Sequence, residues 1–243
     1  YVNLASVLSS AFTIPSLFWT IVAFGRKLFS FDTLSRGQES VLLFAGAVGA
    51  LSFTFSDSFW FSAVEGEVYA MSSCFTAIAF WAVLKWEAAV DEDPYANRWL
   101  LLIAYLTGLS VGIHILVFLT IPSVVMIYFY KKFPNVTWKS WVVANAASIG
   151  VLALVFAIII PFILSLFGWL EITAVNSIGL PKNSGSLFAL LLIVGGVYYG
   201  IYWARKNSRP LVAQGILAVV FLLIGYSSFV VLAIRSNANT HID

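Results

Sequence analysis

Of 243 residues, 61% are hydrophobic and only 10% charged, against about half and about a quarter in soluble domains, so an ordinary soluble fold is excluded. The mean hydropathy of +0.95 places the chain in lipid. Thirteen Lys and Arg against eleven Asp and Glu leave a net charge of +2 with no basic tail or patch, which excludes nucleic acid as a partner.

Charge clusters and Gly/Pro/Asn-rich breaks divide the chain into eight apolar segments, at 3–24, 40–56, 66–86, 99–113, 114–130, 141–167, 186–203 and 211–234. Each is weighed against the roughly 17–25 residues that cross a bilayer. None alternates with a strict period of two, so the expected fold class is an all-α polytopic membrane protein of about eight transmembrane helices, not a barrel. The expected organisation is a single transmembrane domain over 1–243. Because the chain opens on Tyr1 and its only methionines are Met71 and Met126, it is expected to be a piece of a longer protein. The boundary at Gly112-Ile113-His114 reads either as a tight turn between two short helices or as one irregular re-entrant stretch.

Orientation follows from the cations. Arg26, Lys27, Arg36, Lys85, Arg98, Lys131, Lys132, Lys139, Arg205, Lys206 and Arg209 fall in one set of connections, and only Lys182 and Arg235 in the other. The positive-inside rule makes the first set cytoplasmic and puts both ends of the chain on the outer face; the expected location is a bacterial inner membrane, with that face periplasmic. The sequon Asn135-Val136-Thr137 then lies on the cytoplasmic side and is expected to stay unmodified.

The first outer connection, 56–69, holds Asp57, Glu65 and Glu67 and no cation. One reading is structural: Ser62 and Glu65 form a capping box, Asp57 caps a short helix, and Phe59, Trp60 and Phe61 belong to an interfacial aromatic belt. Glu67 resists it, because a second carboxylate two residues beyond the capping glutamate would lie inside a helix at the membrane edge, where ionisable groups are costly and tend to be functional. A Glu-x-Glu pair there can hold a divalent cation, bind sugar hydroxyls or act as a general base; otherwise Glu67 is a solvated outward carboxylate. Tyr69, four residues past Glu65, is expected on the same helical face, orienting that carboxylate.

Further along, Asp91-Glu92-Asp93 has the shape of a nucleotide-sugar motif but sits in an acidic linker on the opposite side of the membrane from the Glu-x-Glu pair. His114, the histidine of the apolar body, is either helix–helix glue or a donor to an anionic head group. Gly196-x-x-x-Gly200 reads as close helix packing. Arg235 with Asn237 is either a snorkelling end or a clamp for a lipid phosphate, suited by the planar fork of arginine. Cys74 is the single cysteine and allows no intrachain disulfide. No metal site is assigned.

The stretch from Phe53 to Ser73 with Asp57, Trp60, Glu65, Glu67 and Tyr69, the runs Lys85-Trp86-Glu87 and Ala96-Asn97-Arg98-Trp99-Leu100, the run Gly108 to His114, and Ile234-Arg235-Ser236-Asn237-Ala238-Asn239 together resemble the protein O-mannosyltransferase-like family of polytopic proteins, widespread in Bacteroidetes. The resemblance implies a GT-C glycosyltransferase fold. It implies that a sugar, mannose by the family's name, passes from a polyprenyl-phosphate carrier to Ser/Thr hydroxyls of exported proteins on the outer face. The lipid-linked sugar is then the donor, with a divalent cation as a conceivable cofactor. Asp57, Glu65 and Glu67 would be catalytic, and Trp60, Tyr69, His114, Arg235 and Asn237 would bind substrate. Members of the family also carry an earlier helix with an acidic first outer loop, and a soluble region after the last span. The principal carboxylate is therefore expected before Tyr1. The competing reading is a non-enzymatic envelope subunit or a lipid or solute transporter. A transporter should carry ionisable groups near mid-membrane and paired repeats, whereas these segments are almost uncharged and the polar candidates gather at one face.

Overall fold

The computed structural model describes residues 2–29 and 34–229, and among these every regular element is helical. The chain forms two compact units, Tyr1–Lys132 with Phe221–Asp243, and Phe133–Val220.

In the first unit, α1 (Val2–Leu28) is followed by α2 (Arg36–Thr54), the short α3 (Asp57–Val64), α4 (Tyr69–Ala89), α5 (Arg98–Ser110), a 3-10 segment (Ile115–Leu119) and α6 (Thr120–Lys132). Helix α2 starts where Ser35 makes a reciprocal capping box: its Oγ accepts the Gln38 N–H at 3.3 Å and its own N–H donates to Gln38 Oε1 at 2.9 Å. It ends at Thr54, and the chain turns by 65° into α3.

Helix α4 is the inside helix. It runs parallel to α1, since Ser6 Oγ donates to the Glu67 carbonyl at one end and Lys27 pairs with Glu87 at the other. It runs antiparallel to α5, where Trp86 Nε1 donates to Asn97 Oδ1 at 3.0 Å and Trp81 meets Trp99 edge-on. It is parallel again to α6, because Trp86 stacks on Tyr128 and Tyr69 approaches His114. Helix α2 lies antiparallel to α1, with Gly46 against Phe18 and Val22 and Arg26 facing Glu39. The core is made by Ala79, Ala82, Val83, Trp86, Ala96 and Ile103. Trp86 is wholly buried, so truncating it to alanine should cost about 3–5 kcal/mol.

The second unit is a helical rod, α7 (Trp138–Ala153) running through a π segment (Leu154–Ile159) into α8 (Ile160–Ile172) and a second π segment (Thr173–Ser177), followed by α9 (Ser184–Lys206). At about 1.5 Å per residue its 40 residues span about 60 Å, twice the hydrocarbon core. Proline at position 161, which lacks the N–H of a regular ladder, lies two residues past the end of the first π segment. Glu171 joins α8 to α9: its carboxylate accepts the N–H groups of Asn183 at 2.6 Å and Ser186 at 2.8 Å, satisfying donors at the start of α9. Helix α10 (Pro210–Tyr226) begins in this unit and ends in the first.

Among the described residues, four helices are long and apolar enough to cross a membrane, Val2–Leu28, Ile115–Lys132, Trp138–Ser177 and Ser184–Lys206, and a fifth if Arg36–Thr54 and Asp57–Val64 count as one bent span. The eight spans expected from the sequence are thus four or five by this standard. Helices α5 and α10 have 13 and 17 residues. Helix α4, at 21 residues, has the length but not the hydropathy, and its position explains why. Surrounded by α1, α5 and α6, it can carry Ser72, Ser73 and Thr76 on sheltered faces where a lipid-facing helix could not. The chain turns tightly at 111–113, so the first of the two readings of that boundary holds.

The glycines that bring backbones together also differ from expectation. A Cβ on Gly196 would meet nothing within 4 Å, and one on Gly200 would meet only the tip of Ile216, at 2.9 Å. Close backbone approaches lie elsewhere: at Gly185 against Leu170 and Glu171, and between Gly108 of α5 and Gly225 of α10, where a Cβ on either would overlap backbone atoms of the other helix.

Candidate functional site

The parallel and antiparallel pairings of the first unit sort its charges. At one end lie the last turns of α1, α4 and α6 and the first turns of α2 and α5, with their cations. Four of the five described carboxylates there are engaged, Glu39 by Arg26 at 3.5 Å, Glu87 by Lys27, Asp93 by Arg98 at 3.0 Å, and Asp91 by Lys131, while Glu92 forms no ion pair among the described residues. Asp93 Oδ1 also accepts the Tyr95 N–H at 2.8 Å. The Asp91-Glu92-Asp93 run is therefore an ion-paired turn. At the other end lie α3, the start of α4 and the turn before α6. Among the described residues, Asp57, Glu65 and Glu67 at this end form no ion pair.

Helix α3 positions two of the three carboxylates. Phe59 is its buried anchor, packed on Phe53 with ring centroids 4.6 Å apart. Trp60 faces outward and stacks on Phe55 at 6.1 Å. Asp57 occupies the first turn, where its charge complements the helix dipole. Glu65 is the residue after the last turn, so the backbones of the two acids are about 12 Å apart along eight residues of rise. They do not share one proton or one ligand atom at their Cα positions.

Three expectations about this connection are corrected. Ser62 and Glu65 do not form a capping box, because Ser62 is inside α3, donating to the Ser58 carbonyl at 2.9 Å, and Glu65 ends the helix. Glu67 is not inside a helix. It lies in the bend between α3 and α4, exposed, with its carbonyl accepting from Ser6 Oγ at 3.4 Å. Tyr69 begins a different helix from the one Glu65 ends, so the two are not on one helical face. Gly66 is the cause. A Cβ there would stand 2.8 Å from Asn3 Oδ1 and 3.2 Å from Val2 Cγ1, so the start of α1 fits against the bend only where a side chain is lacking.

Tyr69 has another partner, the His114 ring, 5.3 Å away and tilted by 48°. His114 caps the 3-10 segment, its Nδ1 accepting the Leu116 N–H at 3.2 Å. With Nδ1 accepting, the proton of the neutral ring sits on Nε2, which makes Nε2 a donor. Below this pair opens a cavity of about 520 Å³ lined by α1, α2, α4 and the segment leading into α6, including Thr13, Ser72, Thr76, Leu116 and Thr120. Thr13 and Thr120 spend their protons on the carbonyls of Ser9 and Val117, so the lining is largely apolar. The sequence did carry a signal for it, the hydroxyls of Thr13 and Thr20, two turns apart on one face of α1. Among the described residues no three His, Cys, Asp or Glu side chains are grouped as metal ligands. Arg235 and Asn237 lie outside the described residues.

The family described as protein O-mannosyl-transferase TMEM260 N-terminal domain matches residues 1–137. The chain belongs to this family. The match covers α1 to α6 and ends in the connection that leaves the first unit, so Asp57, Trp60, Glu65, Glu67, Tyr69 and His114 all fall within the part that carries the family's features. Arg235 and Asn237 do not. Comparisons with curated proteins and with solved structures returned no match.

Proposed function

We propose that this chain is the membrane body of a GT-C type protein O-mannosyltransferase, taking a sugar from a polyprenyl-phosphate carrier and delivering it to Ser/Thr hydroxyls of exported proteins on the outer face. The reading rests on the TMEM260 family match together with one observation: within the matched stretch, Asp57, Glu65 and Glu67, which form no ion pair among the described residues, share with the His114 donor the end opposite the cations.

The chemistry asks for such an end. The acceptor hydroxyl loses its proton as it attacks the anomeric carbon, so a carboxylate base is needed, and the departing lipid phosphate carries charge that needs donors. Asp57, Glu65 and Glu67 provide or position the base and the acceptor. His114 Nε2, with Arg235 and Asn237, holds the phosphate. Trp60 and Tyr69 offer flat faces to the sugar, and the apolar cavity beneath Tyr69 and His114 takes the first isoprenoid units of the carrier.

Glu67→Gln is the decisive variant, because it keeps the carbonyl that Ser6 grips and changes only the charge. In the full-length protein it should reduce sugar transfer about 100-fold or more without lowering abundance, read by intact-mass glycoproteomics of exported proteins. Arg235→Ala should do the same. Transfer at the wild-type level by both variants refutes the assignment.

A further inference from the structure

The end of the first unit opposite the candidate site has a cavity of its own. It measures about 480 Å³ and lies between α1, α4 and α6. Four cations line it, Arg26, Lys27, Lys85 and Lys131, against the single carboxylate of Glu87. Two tryptophans, Trp19 on α1 and Trp81 on α4, form its walls on the side nearer the middle of the helices, and Val22 and Leu84 close it with apolar surface.

We propose that this cavity binds the phosphate head group of an anionic membrane lipid. Three observations converge. The first is the surplus of charge. Lys27 is held by Glu87, Lys131 by Asp91 and Arg26 by Glu39 at 3.5 Å, but Lys85 forms no ion pair among the described residues and lies over the Trp81 ring with its Nζ 5.5 Å from the centroid. An ammonium held by a ring face and lacking an anion is complementary to a phosphate.

The second observation is depth. Arg26 and Lys27 are in the last turn of α1, and Lys131 is in the last turn of α6. Trp19 stands about two helical turns closer to the apolar middle, at the level where indole rings favour the boundary between head groups and acyl chains. The cations thus meet the head group while the tryptophans and Val22 meet the glycerol and first methylenes. A soluble phosphate would have no use for that apolar wall. The third is size: a bridge of cations around several hundred cubic ångströms matches a head group wedged between helices, as in the basic interhelical pockets that bind anionic lipids.

The test uses the full-length protein in nanodiscs of equal phosphatidylglycerol and phosphatidylcholine, with bound lipid counted by native mass spectrometry. Wild type should retain phosphatidylglycerol in preference to phosphatidylcholine. Arg26→Gln with Lys85→Gln should weaken that preference roughly 30-fold, about fivefold for each cation removed near the bilayer surface. Lys85→Arg should keep it, which separates loss of charge from misfolding, and Lys182→Gln, in the other unit, should leave it unchanged. Equal retention of the two lipids by wild type, or an unaltered preference in the double variant, overturns the proposal. Displacement of the bound lipid by millimolar inorganic phosphate overturns it as well, in favour of a soluble anion.

Discussion

The rings of Tyr69 and His114 meet at 5.3 Å across the junction between the first turn of α4 and the turn that leads into α6, while His114 Nδ1 is committed to the Leu116 N–H. The pair joins two segments 45 residues apart, and it leaves the imidazole with its second nitrogen as a donor. An aromatic contact of this kind contributes about 0.5–1.5 kcal/mol, enough to fix the ring but not to hold the unit together.

That division of labour makes the pair testable. His114→Ala removes the donor and should lower sugar transfer about 100-fold, in line with loss of one donor to developing charge. His114→Gln, which keeps a donor, should recover part of it. Tyr69→Phe preserves the ring and should stay within about threefold of wild type, whereas Tyr69→Leu should fall with His114→Ala, as expected if the ring's role is to hold the imidazole. Wild-type transfer by His114→Ala at normal abundance would remove His114 from the site.

The crossing of α5 and α10 predicts a different outcome for glycines that look alike in sequence. At Gly108 and Gly225 an added Cβ runs into backbone of the facing helix, which cannot rotate away. Gly108→Ala and Gly225→Ala should each destabilise by about 1–3 kcal/mol or more. Gly196→Ala has open space, and should be neutral or stabilising by up to about 1 kcal/mol through its helix preference. Thermal unfolding of the purified protein in detergent checks all three, and equal melting points for Gly108→Ala and Gly196→Ala would contradict the crossing.

These glycines show what could be read from the chain and what could not. The sorting of charge was legible, because Arg26, Lys27, Lys85, Arg98 and Lys131 lie at or near segment ends, and the ends of antiparallel and parallel helices gather without any further information. The irregular bend at Glu65-Gly66-Glu67 was not. Helical periodicity carried Glu67 and Tyr69 onto one helix, while the actual constraint is Asn3 and Val2, more than sixty residues earlier, standing where a side chain at 66 would go. The inside position of α4 was also hidden. Its serines and threonines lower its hydropathy, yet that lowering is tolerated only because α1, α5 and α6 shield it. Gly196-x-x-x-Gly200 fitted a packing pattern, but a pattern does not say which helix lies opposite.

Asp91 offers a check on the cation end. The hydrogen bond from Lys131, aided by the charges of Lys131 and Lys132, holds its carboxyl below the usual aspartate value. A carboxyl depressed in the folded state stabilises the protein above the unfolded value of about 3.9 and loses that contribution as pH falls through its lower folded value. Asp91 is largely exposed, so the effect is small. Asp91→Asn should lower the melting point slightly at pH 7, and the difference from wild type should shrink as the pH falls below about 3.9 and through the lower folded value. A difference that persists undiminished at pH 3 would mean that the pair contributes by packing and not by charge.

The orientation itself can be tested from the connection that ends the family match. Asn135 is exposed between Lys132 and α7, with Thr137 engaged in a capping box in which its Oγ1 accepts the Ser140 N–H at 3.2 Å. Among the described residues the sequon is exposed, so its modification depends on where it stands at the membrane. If the cation end is cytoplasmic, Asn135 carries no glycan in a host able to add one. Proximity to the bilayer could also keep it bare, so the stronger measurement is chemical. Asn135→Cys should react with a membrane-impermeant maleimide only after the cells are permeabilised, whereas Glu65→Cys, at the acidic end of the first unit, should react in intact cells, with buried Cys74 silent in both. Labelling in the reverse order, or a glycan on Asn135, would turn the protein over and move the acidic end, with the proposed transfer, to the cytoplasm.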